Sequence, residues 1–195
     1  MTRSTRSSIK GLYYITHIDN LPSILSNGIL SHELIEERRI QFSPIYDAGI
    51  VSRRKGIQTP EGRSLWSYAN LYFQPRNPML YRVLHEKNKA DLAILGIQAA
   101  ALTGGDVLVT TGNAAHSESE ILPAGHGLKA VAQDWQTIKS EWWNPLDGSK
   151  RRIMAECLVP NMIPPALYPQ HLRRQPRRRR ARQANGLAPI AADHP

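Results

Sequence analysis

At 195 residues and a formal net charge of +9, the chain has the length of one domain built on a single hydrophobic core. It holds no apolar run of about eighteen residues, so no membrane span is expected, and the basic opening (Arg3, Arg6) lacks the apolar stretch of a secretory leader. One cysteine, Cys157, excludes an intrachain disulfide; histidines without HxxxH or HxH spacing argue against a metal site, so a reducing, cytoplasmic setting is the default expectation.

The charge is unevenly spread. Residues 161–195 carry seven arginines, among them Arg177 to Arg180, against the single acid Asp193. The extreme basicity is therefore a property of the tail, and the rest is only mildly basic, which weakens a purely electrostatic argument for nucleic acid.

In chain order, the aromatic and β-branched residues 12–16 predict a first strand. Asp19 or Asn20 is placed to cap a following helix, with Pro22 in its first turn and Asn27-Gly28 as its stop. Ser31 is placed to cap a second short helix. Residues 43–65 are polar and aperiodic, a length of loop that in compact domains is usually functional or mobile. A strand is predicted over 69–73, a helical turn over 79–84, and buried strands over 91–97 and 107–111. The tryptophan-rich segment 128–143 reads as partly helical, Asp147-Gly148 as a tight turn, and residues 152–159 as a last strand. An N-terminal arm (1–11), a folded domain (12–160) and a disordered Pro/Arg-rich tail (161–195) follow from this pattern.

Within the last predicted strand, alternation sets Ile153, Ala155, Cys157 and Val159 on one face and Met154, Glu156 and Leu158 on the other. A carboxylate between two apolar neighbours costs several kcal/mol, on the order of that for any buried charge, unless it is paired or faces a polar pocket. Two readings stand at this point. Glu156 is either a structural partner of an arginine, or a catalytic acid at the floor of a cleft.

Four separated segments resemble the DarT family of toxins that ADP-ribosylate DNA bases. They are the stretch from Tyr14 and His17 through Asn20 to Gly28; the stretch from Tyr68 and Tyr72 through Pro78 and Met79, preceded by Arg53 and Arg54; the stretch Val109 to Asn113; and Asp134-Trp135 followed by Asp147 and Arg151 to Val159. The resemblance implies an α+β ADP-ribosyltransferase fold, with a split mixed β-sheet core, flanking helices and a cleft for NAD as co-substrate, and no metal. It implies Glu156 as the central catalytic carboxylate and Arg54, or next to it Arg53, as the catalytic arginine. NAD contacts are implied for His17, Asn20, Leu21, Gly28, Arg54, Tyr68 and Tyr72. Each has a plainer reading beside it: His17 as a cap, Asn20 and Gly28 as helix punctuation, the tyrosines as core.

The implied reaction is transfer of ADP-ribose to a base in single-stranded DNA, thymine or guanine, by a bacterial toxin or phage-defence effector. The opening Tyr-Ile-Thr-His and the turn Pro75 to Pro78 incline the resemblance to the guanine-modifying branch. A base must be unstacked to be reached, hence the single strand, with Arg53, Lys55, Arg63 and Asn113 as candidate nucleic-acid contacts. A macrodomain-type antitoxin is the implied partner, and a monomer is expected. The same transfer to RNA, and a non-catalytic nucleic-acid-binding protein led by the arginine tail, remain as alternatives.

Overall fold

The computed structural model describes residues 9–46 and 48–169; residues 1–8 and the arginine run lie outside them. Among the described residues eight strands are formed: β1 (Gly11–His17), β2 (Ile29–Leu30), β3 (Tyr68–Tyr72), β4 (Leu92–Gln98), β5 (Leu108–Thr110), β6 (Ile121–Pro123), β7 (Glu156–Pro160) and β8 (Met162–Ile163). The helices are α1 (Leu21–Asn27), α2 (His32–Glu37), α3 (Ala48–Ser52), α4 (Pro78–Glu86), α5 (Ala124–Gln133), α6 (Trp135–Ile138) and α7 (Ser149–Arg152). Six strands make one sheet in the order β4-β1-β3-β7-β5-β6, and β2 pairs with β8 in a small second sheet. The α+β class and the flanking helices are as expected. Every pairing between these strands is antiparallel rather than mixed, because none of the helices serves as a crossover between parallel neighbours.

The sheet separates two apolar layers. Leu12, Leu71, Ile97, Val109 and Cys157 belong to the larger core, which also takes in Ile24 of α1 and Val131 of α5. Ile15 and Tyr72 meet Ile45, Leu80 and Val83 on the other side. Close packing of α5 on β5 needs a glycine, since a Cβ at Gly127 would come 2.5 Å from the Val109 Cβ. Gly28 is doubly constrained, with φ +88° and an added Cβ only 2.6 Å from the Ile163 carbonyl oxygen.

β1 is registered with β4 along its whole length, but with β3 at one pair alone, Tyr13 with Tyr72. Beyond that pair the two strands part, and the sheet is split between residues 14–16 and 68–70.

Three expectations are corrected. The last strand begins at Glu156, not residue 152, because Gly148 (φ +74°) starts a helical turn, α7, that holds the backbone through Ala155. β4 is an edge strand, not a buried one, and leaves Ile94 47% exposed. The fold also does not stop at Pro160: β8 covers β2, and Tyr168, 1% exposed, joins the larger core while its hydroxyl reaches the Ile24 and Ile163 carbonyls at 3.3 and 3.4 Å. At the other end Ile9, 7% exposed, already belongs to the core.

Tyr168 is thus expected to be a structural keystone. Replacing Tyr168 with Ala should cost about 3–5 kcal/mol, and Tyr168→Phe about 1 kcal/mol for the shared hydrogen bond. Urea unfolding of the two variants against wild type checks both values.

Candidate active site

Glu156 opens β7 directly opposite Tyr72 of β3. Because β7 lies between β3 and β5 and is covered on both faces, the residue is completely buried. Its backbone N–H donates to the Thr110 hydroxyl at 2.9 Å, fixing the strand start. Its carboxylate is met from two other parts of the chain. Arg54, in the 3-10 turn Arg53–Gly56, donates Nη1 to Oε1 at 3.2 Å and Nη2 to Oε2 at 2.9 Å. The Ala114 N–H donates to Oε1 at 3.0 Å.

This fork-on-fork geometry is the strong form of an arginine–carboxylate contact. Burial by itself would lower the Arg54 pKa; the Glu156 charge and the two hydrogen bonds outweigh it and raise it instead. The site therefore holds a fixed positive and a fixed negative charge out of water, each compensating the other.

The two arginines that the sequence left as neighbours are separated by the fold. Arg54 turns inward, and Arg53 is exposed. Lys55 pairs with Glu36 at 3.1 Å, which holds the Glu36 carboxyl below its ordinary range, and lies over the Trp66 ring at 5.7 Å. Arg63 donates to Asn161 Oδ1 at 3.1 Å and covers the Tyr68 ring at 5.1 Å. Asn113 shapes the turn beside the carboxylate: its Oδ1 accepts from the Ala115 N–H at 2.9 Å, and its own N–H donates to the Arg151 carbonyl at 3.0 Å.

Two adjoining cavities follow the split in the sheet. The first is lined by Asn20, Gly28, Ser43 and Tyr68 among others, and the second by Arg54, Tyr72, Met79, Asn113 and Glu156. Tyr14, Ile15, His32, Tyr46 and Asn70 line both, which makes them one continuous cleft. Burial raises the phenols here, Tyr14 to about 12, while the Tyr72 phenol is pushed up by burial and then by Glu156. Burial, assisted by Arg54 and opposed by Glu36, pushes the His32 imidazole down to about 4.

Asn20 stands at the cap position of α1 without capping it. Its amide instead clamps the 43 segment, accepting from the Ser43 N–H at 2.8 Å and donating to the Ser43 carbonyl at 2.9 Å. His17 accepts from the Asp19 N–H at 3.2 Å as the cap of the short turn after β1. His17 and Leu21 stand outside the linings of both cavities, Leu21 packing against the larger core. Among the described residues, no group of three or more His, Cys, Asp or Glu could hold a metal ion.

Sequence reasoning assigned no site role to Tyr14, His32, Tyr46 or Asn70. Asn70 was recoverable by alternation with Tyr68 and Tyr72. Tyr46 comes from an aperiodic loop and His32 from the first position of a short helix, so neither carried a signal.

A family model described as ssDNA thymidine ADP-ribosyltransferase, DarT, matches residues 13–168. The chain belongs to the DarT family. A DNA ADP-ribosyl transferase–DNA ADP-ribosyl glycohydrolase fusion protein of Thermosipho africanus is 50% identical over 155 residues, 79% of this chain and 40% of the relative. A DNA ADP-ribosyl transferase of Thermus sp. is 30% identical over 80% of this chain and 77% of its own length. The chain thus spans well under half of the first relative and about three quarters of the second. Among solved structures, Thermosipho africanus DarTG in complex with ADP-ribose superposes with a TM-score of 0.75 at 47% identity, over 82% of this chain and 42% of that one. Thermus sp. 2.9 DarT in complex with ADP-ribosylated ssDNA gives 0.70 at 29% identity, over 82% and 79%. The DarT match runs to residue 168, consistent with a fold that continues past Pro160.

Two outcomes test this geometry. Arg54→Ala strands a buried carboxylate and should cost about 3–5 kcal/mol, whereas the neighbouring Arg53→Ala should stay within about 0.5 kcal/mol; urea unfolding at neutral pH reads the contrast. His32 binds its proton more readily unfolded, near an ordinary pKa of about 6.5, than folded, at about 4. Its contribution therefore erodes stability as pH falls through that window. The unfolding midpoint should drop over this range by less in His32→Phe than in wild type.

Proposed function

We propose that the chain transfers ADP-ribose from NAD to a base of single-stranded DNA, with Glu156 and Arg54 as its catalytic pair. The observation that carries this reading is the buried, bidentate Arg54–Glu156 contact at the wall of a cleft in the split sheet. The cleft suits a dinucleotide chemically: it is long, walled by tyrosines, and carries amide, guanidinium and carboxylate groups along its length.

NAD supplies an activated glycosidic bond: nicotinamide leaves the anomeric carbon, a base nitrogen bonds to that carbon, and the nitrogen's proton is released. Glu156 stabilises the positive charge that develops at the anomeric carbon, holds a ribose hydroxyl and accepts the released proton. Arg54 orients that carboxylate through its two parallel hydrogen bonds. Fixed in place by the Thr110 and Ala114 contacts, the carboxylate needs little reorganisation when charge develops.

Asn20, Gly28, Tyr68 and Tyr72 hold NAD from the walls of the cleft. His17 and Leu21, outside the linings, support it from behind through the turn and helix that carry Asn20. On the nucleic-acid side, Asn113 borders the carboxylate and meets the target base, and Arg53, Lys55 and Arg63 supply charge to the phosphates. The fusion relative joins a transferase to a DNA ADP-ribosyl glycohydrolase. A macrodomain-type antitoxin with that reversing activity is the corresponding partner for this chain, which acts as a monomer in the cytoplasm, as a toxin or phage-defence effector. No helix among the described residues is long and apolar enough to cross a membrane.

Incubating the protein with NAD and matched DNA and RNA oligonucleotides, followed by mass spectrometry with fragmentation, tests the reading. ADP-ribosylated thymine or guanine in the single-stranded DNA is the expected product. Glu156→Gln should lower the yield by about 10²–10³ or more, in the range seen for lost charge stabilisation. Labelling of RNA alone, or undiminished labelling by Glu156→Gln, overturns it.

A further inference from the structure

We propose that His32 is a positioning residue for NAD: its imidazole Nε2–H holds the Tyr46 oxygen, so that the phenol proton is directed into the cleft at an oxygen acceptor of the dinucleotide. The inference rests on the reading of the cleft as the NAD site, and it adds two residues that no sequence pattern marked.

Tyr46 and His32 line both cavities and so stand where the two halves of the cleft meet. The Tyr46 hydroxyl and His32 Nε2 are 3.1 Å apart. The imidazole is not free to turn. It lies flat on the Trp66 indole, with centroids 4.3 Å apart and planes at 19°, and the Phe42 and Tyr46 rings meet it nearly edge-on at 6.1 and 5.7 Å. Its backbone is anchored as well, because Ser31 caps α2 at the residue before it. Tyr46 itself packs against the smaller core, to which its neighbour Ile45, 3% exposed, belongs.

Both groups are uncharged at neutral pH, the imidazole because burial and Arg54 resist its protonation, the phenol because burial resists its ionisation. The pair therefore shares one imidazole proton and one phenol proton. If the phenol donated to Nε2, its only proton would be spent inside the protein. If Nε2–H donates to the phenol oxygen, the phenol proton remains for a ligand, and both protons are used once the cleft holds an oxygen acceptor. Trp66 fixes the imidazole, the imidazole fixes the hydroxyl, and the cost of ordering that hydroxyl on binding is removed beforehand.

The test compares wild type with Tyr46→Phe, His32→Phe, His32→Gln and the double variant His32→Phe/Tyr46→Phe. Calorimetry gives the Kd for NAD, and initial rates with a single-stranded DNA oligonucleotide give KM for NAD and kcat. Tyr46→Phe and His32→Phe should each raise Kd and KM about tenfold while kcat stays within about twofold, the pattern of lost uniform binding. The double variant should be no weaker than Tyr46→Phe alone, since the two residues act through one contact. His32→Gln, whose amide can still donate to the phenol oxygen, should bind within about threefold of wild type. Cooperative urea unfolding of Tyr46→Phe and His32→Gln, with both variants fully folded under the assay conditions, separates these effects from loss of structure.

An unchanged Kd in His32→Phe, multiplying losses in the double variant, or a glutamine no better than phenylalanine overturns the proposal. Should wild type bind NAD but modify no DNA, the transfer reading fails while the calorimetric comparison still decides the pair. Absence of NAD binding by wild type overturns both.

Discussion

The structure depends on one buried ion pair. Glu156 has almost no exposed surface and Arg54 little, so each charge has exchanged its water for the other. Such an exchange is favourable only when geometry is good and the remaining lone pairs are met. Both conditions hold here, through the two parallel guanidinium bonds and the Ala114 N–H. The consequence reaches well beyond the pair. The 3-10 turn that carries Arg54, the turn over residues 113–115 and the start of β7 must all be placed together, since a shift in any one leaves a charge in a dry wall.

That demand accounts for polar contacts elsewhere. Asn20 grips both backbone groups of Ser43, tying the start of the long polar loop to α1 before the loop reaches the cleft. His32 stacks on Trp66 and holds Tyr46 in the same loop. The loop is long, but it is fastened at the points from which it presents Tyr46 and Arg54. Its length allows residues distant in sequence from β7 to close over the carboxylate, and its fastenings limit the entropy lost when they do so.

Some residues that carry the family resemblance serve the site at one remove. Asp134 pairs with Arg152 at 3.3 Å, and Asp147 accepts from the Ser149 N–H at 2.8 Å. Together they hold α7 against α6 and set the point at which the chain turns into β7. They touch neither the carboxylate nor its guanidinium; their effect is to aim the strand. Cys157, next to Glu156 in β7, faces the opposite layer, where burial pushes its thiol pKa up and leaves it an apolar filler.

Much was legible from residues alone. Alternation located β1, β3 and β7 and marked Glu156 as a carboxylate out of place, because side-chain direction in a strand follows from the period of two. Glycine and proline punctuated α1 and α4, because their backbone limits are local. Four ordered segments carried the family. Three things were decided only in three dimensions. Arg53 and Arg54 are equivalent in sequence, and the direction of a 3-10 turn within a loop, fixed by what it packs against, sends one inward and the other to solvent. The closing elements Met162–Ile163 and Tyr168 look like the start of a proline-rich tail, and become core only because β2 offers an edge and α1 a bed. The cleft itself has no local signature. It exists because β1 and β3, distant in sequence, meet at one pair and then part, and only the packing of every other element on them determines where they do so.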